Sequence, residues 1–274
     1  MYIIDEGNPA QFPILMLHGL GANAQSWHFQ IPALAGGGFR AVAPDLPGFG
    51  RSTFSGKEWS LDRVCQEVVN LLNERNISSC GLLGISMGGV IGLKLAADYP
   101  QIFQMSILVN TFAVLRPKRW NETWYFLRRG LRAFLVSPRS QAKLVAKRIF
   151  PEEEKKLFRK MLEESIQQAN PVVYRKAMLS LALFDGTRLA KRISNPVLVV
   201  SGERDTTVPL ALQMNLVSLL PNAAHVIIEN AGHALPIDQP ALFNRLMLAF
   251  YSNPSEIVRA YASKSVNGCL QEKF

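Results

Sequence analysis

The segment Gly84-Ile85-Ser86-Met87-Gly88 is the part of this chain with the clearest capacity for chemistry. An apolar run at residues 80–83 precedes it and predicts a buried strand, while residues 87–98 follow it and predict a helix. A serine between two such elements lies at the apex of a sharp turn, and the flanking glycines leave room for neighbouring backbone. The pattern therefore predicts a serine hydroxyl that projects into a cleft and acts as a nucleophile.

A serine hydroxyl is a weak nucleophile near neutral pH, so it needs a general base, and the base needs an orienting group. His233 follows a strand-like run at residues 225–228 and a short turn, and it is the candidate base. Asp205 and Glu203 both lie past the apolar run at residues 197–201, and Asp238 follows the histidine. The residues alone leave these three carboxylates as alternatives for the orienting group.

Short apolar runs alternate with helical patterns along most of the chain. The strand candidates are residues 14–17, 41–43, 80–83, 106–109, 197–201 and 225–228, and the helix candidates are residues 26–34, 61–74, 87–98, 210–219 and 241–251. This alternation predicts an α/β fold with a mostly parallel sheet flanked by helices. His18, Asp45, Ser86, Asp205 and His233 all come at or just beyond strand ends, where such sheets place their ligand chemistry.

The alternation fails between residues 111 and 186, where the pattern is helical throughout. Apolar residues recur there at steps of three and four, which marks one helix face: Trp120, Trp124, Leu127, Leu131 and Phe134. A second helix is predicted over residues 151–168, and a third after Pro171. The sequence therefore predicts an all-helical insertion in the α/β core.

Five motifs in this order resemble those of the Ser-nucleophile α/β-hydrolase superfamily. They are Leu17-His18-Gly19-Leu20-Gly21, Asp45-Leu46-Pro47-Gly48-Phe49-Gly50-Arg51-Ser52, the segment around Ser86, Gly202-Glu203-Arg204-Asp205, and Gly232-His233. The resemblance implies a hydrolase core of residues 1–110 and 187–274 and a helical cap (lid) domain of residues 111–186. It also implies a catalytic triad in the chain order Ser86, Asp205, His233, and this order favours Asp205 over Glu203 and Asp238.

The same resemblance implies an oxyanion hole made of two backbone N–H groups. One is that of Met87, the residue after the nucleophile, and the other is that of Leu20, in the loop after the first predicted strand. His18 is interpreted as a residue that shapes this loop through hydrogen bonds, and Asp45 as one that orders residues 45–52. His28 and His225 are interpreted as structural or surface residues.

The resemblance is to small carboxylesterases and to 3-oxoadipate enol-lactonase-like hydrolases. It implies a serine esterase that cleaves carboxylic esters through an acyl-serine intermediate. Enol-lactone, thioester and carbon–carbon bond hydrolysis on the same triad remain alternatives, as does a non-catalytic protein that binds a small ligand. Ser86 argues against dehalogenases and epoxide hydrolases, which carry a carboxylate there, and Ala234 after the histidine weakens the carbon–carbon option.

The positive charge of the chain is concentrated in one segment. Between Phe112 and Phe150, ten basic residues stand against Glu122 alone, so the segment carries as much charge as the net +9 of the whole chain. The basic residues are Arg116, Lys118, Arg119, Arg128, Arg129, Arg132, Arg139, Lys143, Lys147 and Arg148. Three interpretations stay open: a solvated outer face, a surface that attracts an anionic ligand to the cleft, and pairing with acidic residues in an oligomer. No recognition motif for nucleic acid accompanies the charge.

Composition sets the remaining expectations. No apolar run reaches the roughly 18 residues of a transmembrane segment, and the N-terminus lacks the pattern of a secretory signal. Cys65, Cys80 and Cys269 are odd in number and widely spaced, which favours a reducing, cytoplasmic location. No cluster has metal-ligand spacing, so neither a metal nor a cofactor is predicted. Residues 253–274 are more polar, and neither their role nor the oligomeric state follows from the sequence.

Overall fold

The computed structural model describes residues 1–54, 56, 58–115 and 138–261, and a mostly parallel sheet lies at its centre. In this part of the chain the sheet has seven strands in the order β1-β3-β2-β4-β5-β6-β7. The strands are β1 Ile3–Glu6, β2 Pro13–Leu17, β3 Arg40–Pro44, β4 Cys80–Ile85, β5 Phe103–Val109, β6 Val197–Gly202 and β7 Ala223–Ile228. Only β1 runs antiparallel, against β3, among these paired strands.

The six predicted strands are confirmed, each one to three residues longer than its apolar run. The sequence missed β1 because this edge strand has no apolar run: its last two residues are Asp5 and Glu6. Asp5 instead forms ion pairs with Arg40 at 2.8 Å and Arg75 at 3.1 Å. A charged edge strand is a common way of protecting a sheet from further pairing, and it leaves no alternating pattern in the sequence.

Helices cover both faces of the sheet. Those of the core are α1 Gln30–Gly36, α2 Leu61–Glu74 and α3 Met87–Asp98, and a short 3-10 helix, Ala24–Trp27, precedes α1. Helices α2 and α3 have the predicted bounds. The helix predicted at residues 26–34 begins only at Gln30, because Pro32 has no N–H group and fits only in a first turn.

The helical insertion follows β5. Its described helices are α4 Pro138–Ile149, α5 Lys156–Gln168 and α6 Pro171–Leu183, with a 3-10 helix, Glu153–Lys155, before α5. Helix α6 begins as predicted, because Pro171 occupies its first position and the side chain of Asn170 caps it. The second predicted helix begins at Lys156 rather than at residue 151, because Glu152 is extended. The predicted stripe from Trp120 to Phe134 lies outside the described residues.

The chain leaves and re-enters the core at one place. The amide of Gly186 donates to the carbonyl of Ala113 at 2.8 Å, and Val114 forms a β-bridge with Asp185. The limits of the cap at residues 111 and 186 stay a prediction, and these contacts support it.

After the cap come α7 Thr187–Ala190, α8 Leu210–Leu219, α9 Leu235–Asp238, α10 Pro240–Ser252 and α11 Pro254–Tyr261. Helix α8 has the predicted bounds, and α10 is two residues longer than predicted. The more polar tail is helical through Tyr261, and the rest of it lies outside the described residues.

Two apolar layers hold the sheet. Along β2, Leu15 and Leu17 pack into one layer while Ile14 and Met16 pack into the other, as period-two alternation requires. Burial of both faces is typical of parallel sheets covered by helices. Packing from both sides holds the strands, and with them the strand ends that carry the candidate site, in place. Within the described ranges, no helix has the length and apolar character needed to cross a membrane.

Candidate active site

Ser86 lies at a strained turn between β4 and α3. Its φ of 54° and ψ of −113° are unusual for a residue with a side chain. A side chain at Gly84 would collide with the backbone of Gly88 and Gly89, and one at Gly88 would collide with the backbone of Leu17 and His18. The glycines thus have the role expected from the sequence, and the turn presents the serine at the carboxyl end of the sheet.

His233 and Asp205 form a hydrogen-bonded pair beside this turn. The Nδ1–H group of His233 donates to Oδ2 of Asp205 at 2.9 Å. The Asp205 side chain is fully buried, and its Oδ1 accepts the backbone N–H groups of Thr207 at 2.7 Å and Val208 at 3.0 Å. With Nδ1 carrying the proton, Nε2 of His233 keeps a lone pair that can accept one.

The two rival carboxylates are engaged elsewhere. Glu203 is exposed and accepts the backbone N–H of Asn230 at 3.2 Å. Asp238 accepts the backbone N–H of Gly232 at 2.7 Å and Nζ of Lys155 at 2.5 Å. The carboxylate that contacts the imidazole is therefore Asp205, the one that the resemblance favours.

His18 and Asp45 organise the loops behind the serine. His18 donates from Nδ1 to the carbonyl of Gly19 at 2.8 Å and accepts the N–H of Leu46 at Nε2 at 2.9 Å. Burial lowers the pKa of His18 to about 4, so the ring is neutral near pH 7. Asp45 accepts the N–H groups of Ala24 and Arg51, both at 2.7 Å. These contacts agree with the interpretation of both residues as loop-ordering.

Asn110, which the sequence reasoning missed, joins the ends of β5 and β6 to the histidine loop. Its side chain donates to the carbonyls of Gly232 and His233, both at 2.9 Å, and accepts the N–H of Gly202 at 2.8 Å. It is fully buried and has a φ of 46°, a value that asparagine tolerates better than most residues. Its position directly after the run 106–109 was a usable signal, because the same rule selected the other strand-end residues.

Both predicted oxyanion donors lie next to Ser86. Met87 begins α3, so its N–H belongs to the first turn, where backbone donors point out of the helix. Leu20 follows Gly19, where an added Cβ would lie 3.6 Å from Cβ of Ser86. Leu20 also lines the same cavity as Ser86 and His233. The two N–H groups therefore belong to segments that adjoin the serine, and their role as oxyanion donors stays a prediction.

A cavity of about 350 Å³ covers the serine and the histidine. We call its core side the floor; this side includes Gly19, Leu20, Ser86, Phe112, Val208, His233 and Ile237. We call the side formed by the insertion the roof; this side includes Val145, Ile149, Phe150, Phe158, Met161, Leu162, Glu164, Ser165, Gln168, Tyr174, Met178 and Leu181. Among the described residues that line it, lysine and arginine are absent, and Glu164 bears the sole carboxylate.

The remaining candidate groups lie apart from this chemistry or at its margin. His28 lines the cavity wall and stacks on Phe158 at 5.4 Å between ring centroids, and partial burial lowers its pKa. His225 lies 2.8 Å from Oγ of Ser201. Burial raises the pKa of the Cys65 thiol to about 12. Over the described ranges, no group of three or more His, Cys, Asp and Glu side chains is placed to hold a metal ion.

A family model described as the alpha/beta hydrolase fold matches residues 13–240, which is more than half of the chain. The chain belongs to this family. The sheet order, the strained serine turn and the helical insertion described above agree with the match.

Individual relatives extend this finding. A Pantoea ananatis (strain LMG 20103) protein, provisionally named carbamate hydrolase RutD, is 29% identical over 256 residues, which are 90% of this chain and 90% of that protein. The enol-lactonase from Burkholderia xenovorans LB400 has a TM-score of 0.82 and 23% identity, over 92% of this chain and 96% of its own. A thermophilic esterase from Thermogutta terrifontis has a TM-score of 0.77 and 25% identity, over 92% of both chains. The expected similarity to esterases and an enol-lactonase is confirmed.

Proposed function

We propose that this α/β-hydrolase-fold protein is a serine hydrolase that cleaves carboxylic esters through an acyl-serine intermediate. Ser86 is the nucleophile, His233 is the general base and acid, and Asp205 orients the histidine. The backbone N–H groups of Met87 and Leu20 bind the oxyanion.

One observation carries this proposal. Nδ1 of His233 donates a hydrogen bond of 2.9 Å to the buried carboxylate of Asp205, and His233 and Ser86 both line the same cavity. Such a bond fixes the tautomer in which Nε2 can accept a proton, and it stabilises the imidazolium that forms. A structural histidine would not need a buried carboxylate behind it and a strained serine on the same cavity wall.

The reaction has two halves. Oγ of Ser86 attacks the ester carbonyl carbon while its proton passes to Nε2 of His233, and the carbonyl oxygen becomes an oxyanion held by two N–H groups. The tetrahedral adduct then collapses, the C–O bond to the alcohol breaks, and His233 protonates the leaving oxygen. Water then attacks the acyl-serine while one of its protons passes to His233; the C–Oγ bond breaks, the acid leaves, and His233 returns the proton to Oγ of Ser86.

The roof supports a substrate with an uncharged, apolar acyl group. The phenyl rings of Phe150 and Phe158, two thioethers and branched aliphatic side chains form most of it, the polar side chains of its described part are Glu164, Ser165, Gln168 and Tyr174, and that part offers no cation to a carboxylate. A buried charge without a partner is costly, so a dicarboxylic or phosphorylated acyl group fits this surface poorly. The cavity volume of about 350 Å³ lies near the lower end of the usual ligand-pocket range.

Carbamates are the second candidate substrates. The relative with 29% identity over 90% of both chains carries that provisional name, and a carbamate carbonyl undergoes the same attack by serine. Enol-lactones and thioesters share the chemistry as well. A first substrate panel therefore contains carboxylic esters, carbamates, enol-lactones and thioesters.

The decisive experiment compares wild-type protein with Ser86→Ala on p-nitrophenyl butyrate. We expect wild-type protein to release a burst of p-nitrophenol and then turn over, whereas Ser86→Ala loses on the order of 10⁴-fold or more in kcat. Ser201→Ala is the matched control, because Ser201 is also near a histidine, His225, but is fully buried away from the cavity lining.

A folded wild-type protein that binds esters without burst or turnover would favour the non-catalytic binding function instead. Equal losses in Ser86→Ala and Ser201→Ala would argue that a general structural change, rather than loss of a nucleophile, explains the result. A panel of neutral esters of increasing chain length, compared with succinate half-esters, tests the apolar acyl group.

A further inference from the structure

Two cations of the insertion contact the two loops that hold Asp205 and His233. Arg148, at the end of α4, donates from Nη2 to the carbonyl of Thr206, the residue after Asp205. Lys155, in the 3-10 helix before α5, contacts Oδ1 of Asp238 at 2.5 Å. Asp238 lies five residues after His233. The insertion therefore contacts the loop that follows Asp205 and the helix that follows His233.

Asp238 is the more informative of these contacts, because its side chain is almost fully buried, with 2% exposed. Its other oxygen, Oδ2, accepts the N–H of Gly232, the residue before His233, at 2.7 Å. One carboxylate thus links a lysine of the insertion to the backbone that carries the proposed base. We call the pair of Lys155 and Asp238 the latch.

The core holds the opposite side of the same loop. Asn110 binds the carbonyls of Gly232 and His233, while Asp238 binds the amide of Gly232. Asn110 is neutral and needs nothing from the insertion. A buried carboxylate does need a partner, because an unpaired charge inside a protein is strongly unfavourable. Among the contacts that hold the histidine loop, the one from Asp238 therefore depends on the insertion.

We propose that Lys155 is a positioning residue, whose ion pair with Asp238 couples docking of the helical insertion to the placement of His233. The role of His233 as base rests on the proposed function, whereas the coupling of the latch to the Gly232 amide does not. Without Lys155, the buried Asp238 carboxylate loses its cationic partner and turns toward water, and its hold on the Gly232 amide weakens. The insertion then acts on the reaction as well as on substrate choice.

The test compares Lys155→Met with two matched variants of the full-length protein. Lys155→Arg keeps the charge, and Lys156→Met removes a neighbouring lysine that is exposed. The first measurement is hydrogen exchange at the Gly232 amide, which does not depend on activity. We expect Lys155→Met to raise its rate about tenfold, with the amides of α2 unchanged. Lys155→Arg restores slow exchange, and Lys156→Met leaves it unaltered.

The second measurement is the kinetics of p-nitrophenyl acetate hydrolysis, a substrate too small to need most of the roof. We expect Lys155→Met to lower kcat about tenfold with KM nearly unchanged, because a misplaced base slows chemistry more than binding. In a cycle with Asp238→Asn, the two changes are non-additive, since each breaks the same pair.

The two proposals fail in distinguishable ways. Unchanged exchange at Gly232 in Lys155→Met, or equal effects in Lys156→Met, overturns the latch even if the enzyme is an active esterase. Faster exchange at Gly232 in a protein that hydrolyses no ester supports the latch and removes the proposed function. A tenfold rise in KM with no change in kcat in Lys155→Met overturns the positioning role and leaves Lys155 only a part in substrate binding.

Discussion

The floor of the cavity is backed by buried polar groups held by hydrogen bonds, whereas most of its roof is apolar, with polar side chains at Glu164, Ser165, Gln168 and Tyr174 among the described residues. Directly behind the floor, Asp205 and Asn110 are buried and hydrogen-bonded to backbone groups at 2.7 to 3.0 Å. On the roof, Phe158 and its neighbours offer contact without direction. Directional bonds are needed where a proton moves, and adaptable apolar surface is enough where an acyl chain binds. The comparison predicts that changes to the floor alter the rate of chemistry, while changes to the roof alter substrate preference.

The largest effect that separates floor from roof, after loss of Ser86 itself, is expected at Asp205. We expect Asp205→Asn to lower kcat roughly 10³- to 10⁴-fold, because the amide no longer favours the tautomer with the proton on Nδ1. KM for neutral esters should change little, since Asp205 is buried behind the histidine. Steady-state kinetics on p-nitrophenyl butyrate measure both parameters.

Glu203→Gln is the matched control, because Glu203 is a carboxylate in the same turn that is exposed and bonded only to a loop amide among its described contacts. It should retain most of its activity. If Glu203→Gln were the more damaging change, the orienting acid would have to be reassigned.

The contrast between floor and roof also explains what the sequence could predict. The bounds of α2 and α3 and the candidates Ser86 and His233 follow from local patterns, namely an apolar run, a helix and a strand end, whereas the choice of Asp205 over Glu203 and Asp238 comes from the family resemblance. The residues that hold the histidine loop in place do not follow from local patterns. Lys155 and Asp238 are 83 residues apart, and Asn110 meets Gly232 across 122 residues. The first pairing depends on how the insertion packs on the core, and the second on how the end of β5 meets the loop after β7; no local spacing encodes either of them.

A second prediction concerns the stability of the protein as a function of pH, which depends on His18 in the loops behind the floor. Burial lowers the pKa of His18 from 6.5 to about 4. Below pH 6.5 the unfolded chain binds a proton at this residue that the folded protein does not bind until about pH 4, so acid favours unfolding. We expect the contribution of His18 to the unfolding free energy to fall by about 3 kcal/mol between these pH values. Urea denaturation at a series of pH values measures it.

His18→Gln should remove this part of the pH dependence, because glutamine cannot take up the proton. His28→Gln serves as the control, because His28 is a histidine at the cavity wall that is only partly buried. A wild-type stability that stays flat from pH 6.5 to pH 4 would contradict the neutral, buried His18 that orders the loop beside Leu46.

The smallest effect is expected from the basic residues of the insertion, where the three interpretations of the charge remain open. Arg148 already contacts the core through the Thr206 carbonyl, whereas Arg128, Arg129 and Arg132 lie outside the described residues. If these three attract anionic ligands, changing them together to Gln should raise KM for a carboxylate-bearing ester about threefold to tenfold, because they act by long-range steering. KM for a neutral ester of the same length should stay constant.

The effect of added salt on KM distinguishes long-range electrostatic steering from direct binding of the anionic group. Screening at physiological ionic strength limits the field of exposed charges to about 8 Å, so added salt should reproduce the triple substitution in wild-type protein and have little further effect in the variant. Equal effects on charged and neutral esters, or none on either, would leave a solvated outer face as the interpretation. Since the described part of the roof offers a carboxylate no cation, steering raises the encounter rate of an anionic ester without making it the preferred substrate. The neutral ester should therefore keep the higher kcat/KM even in the wild-type protein at low salt.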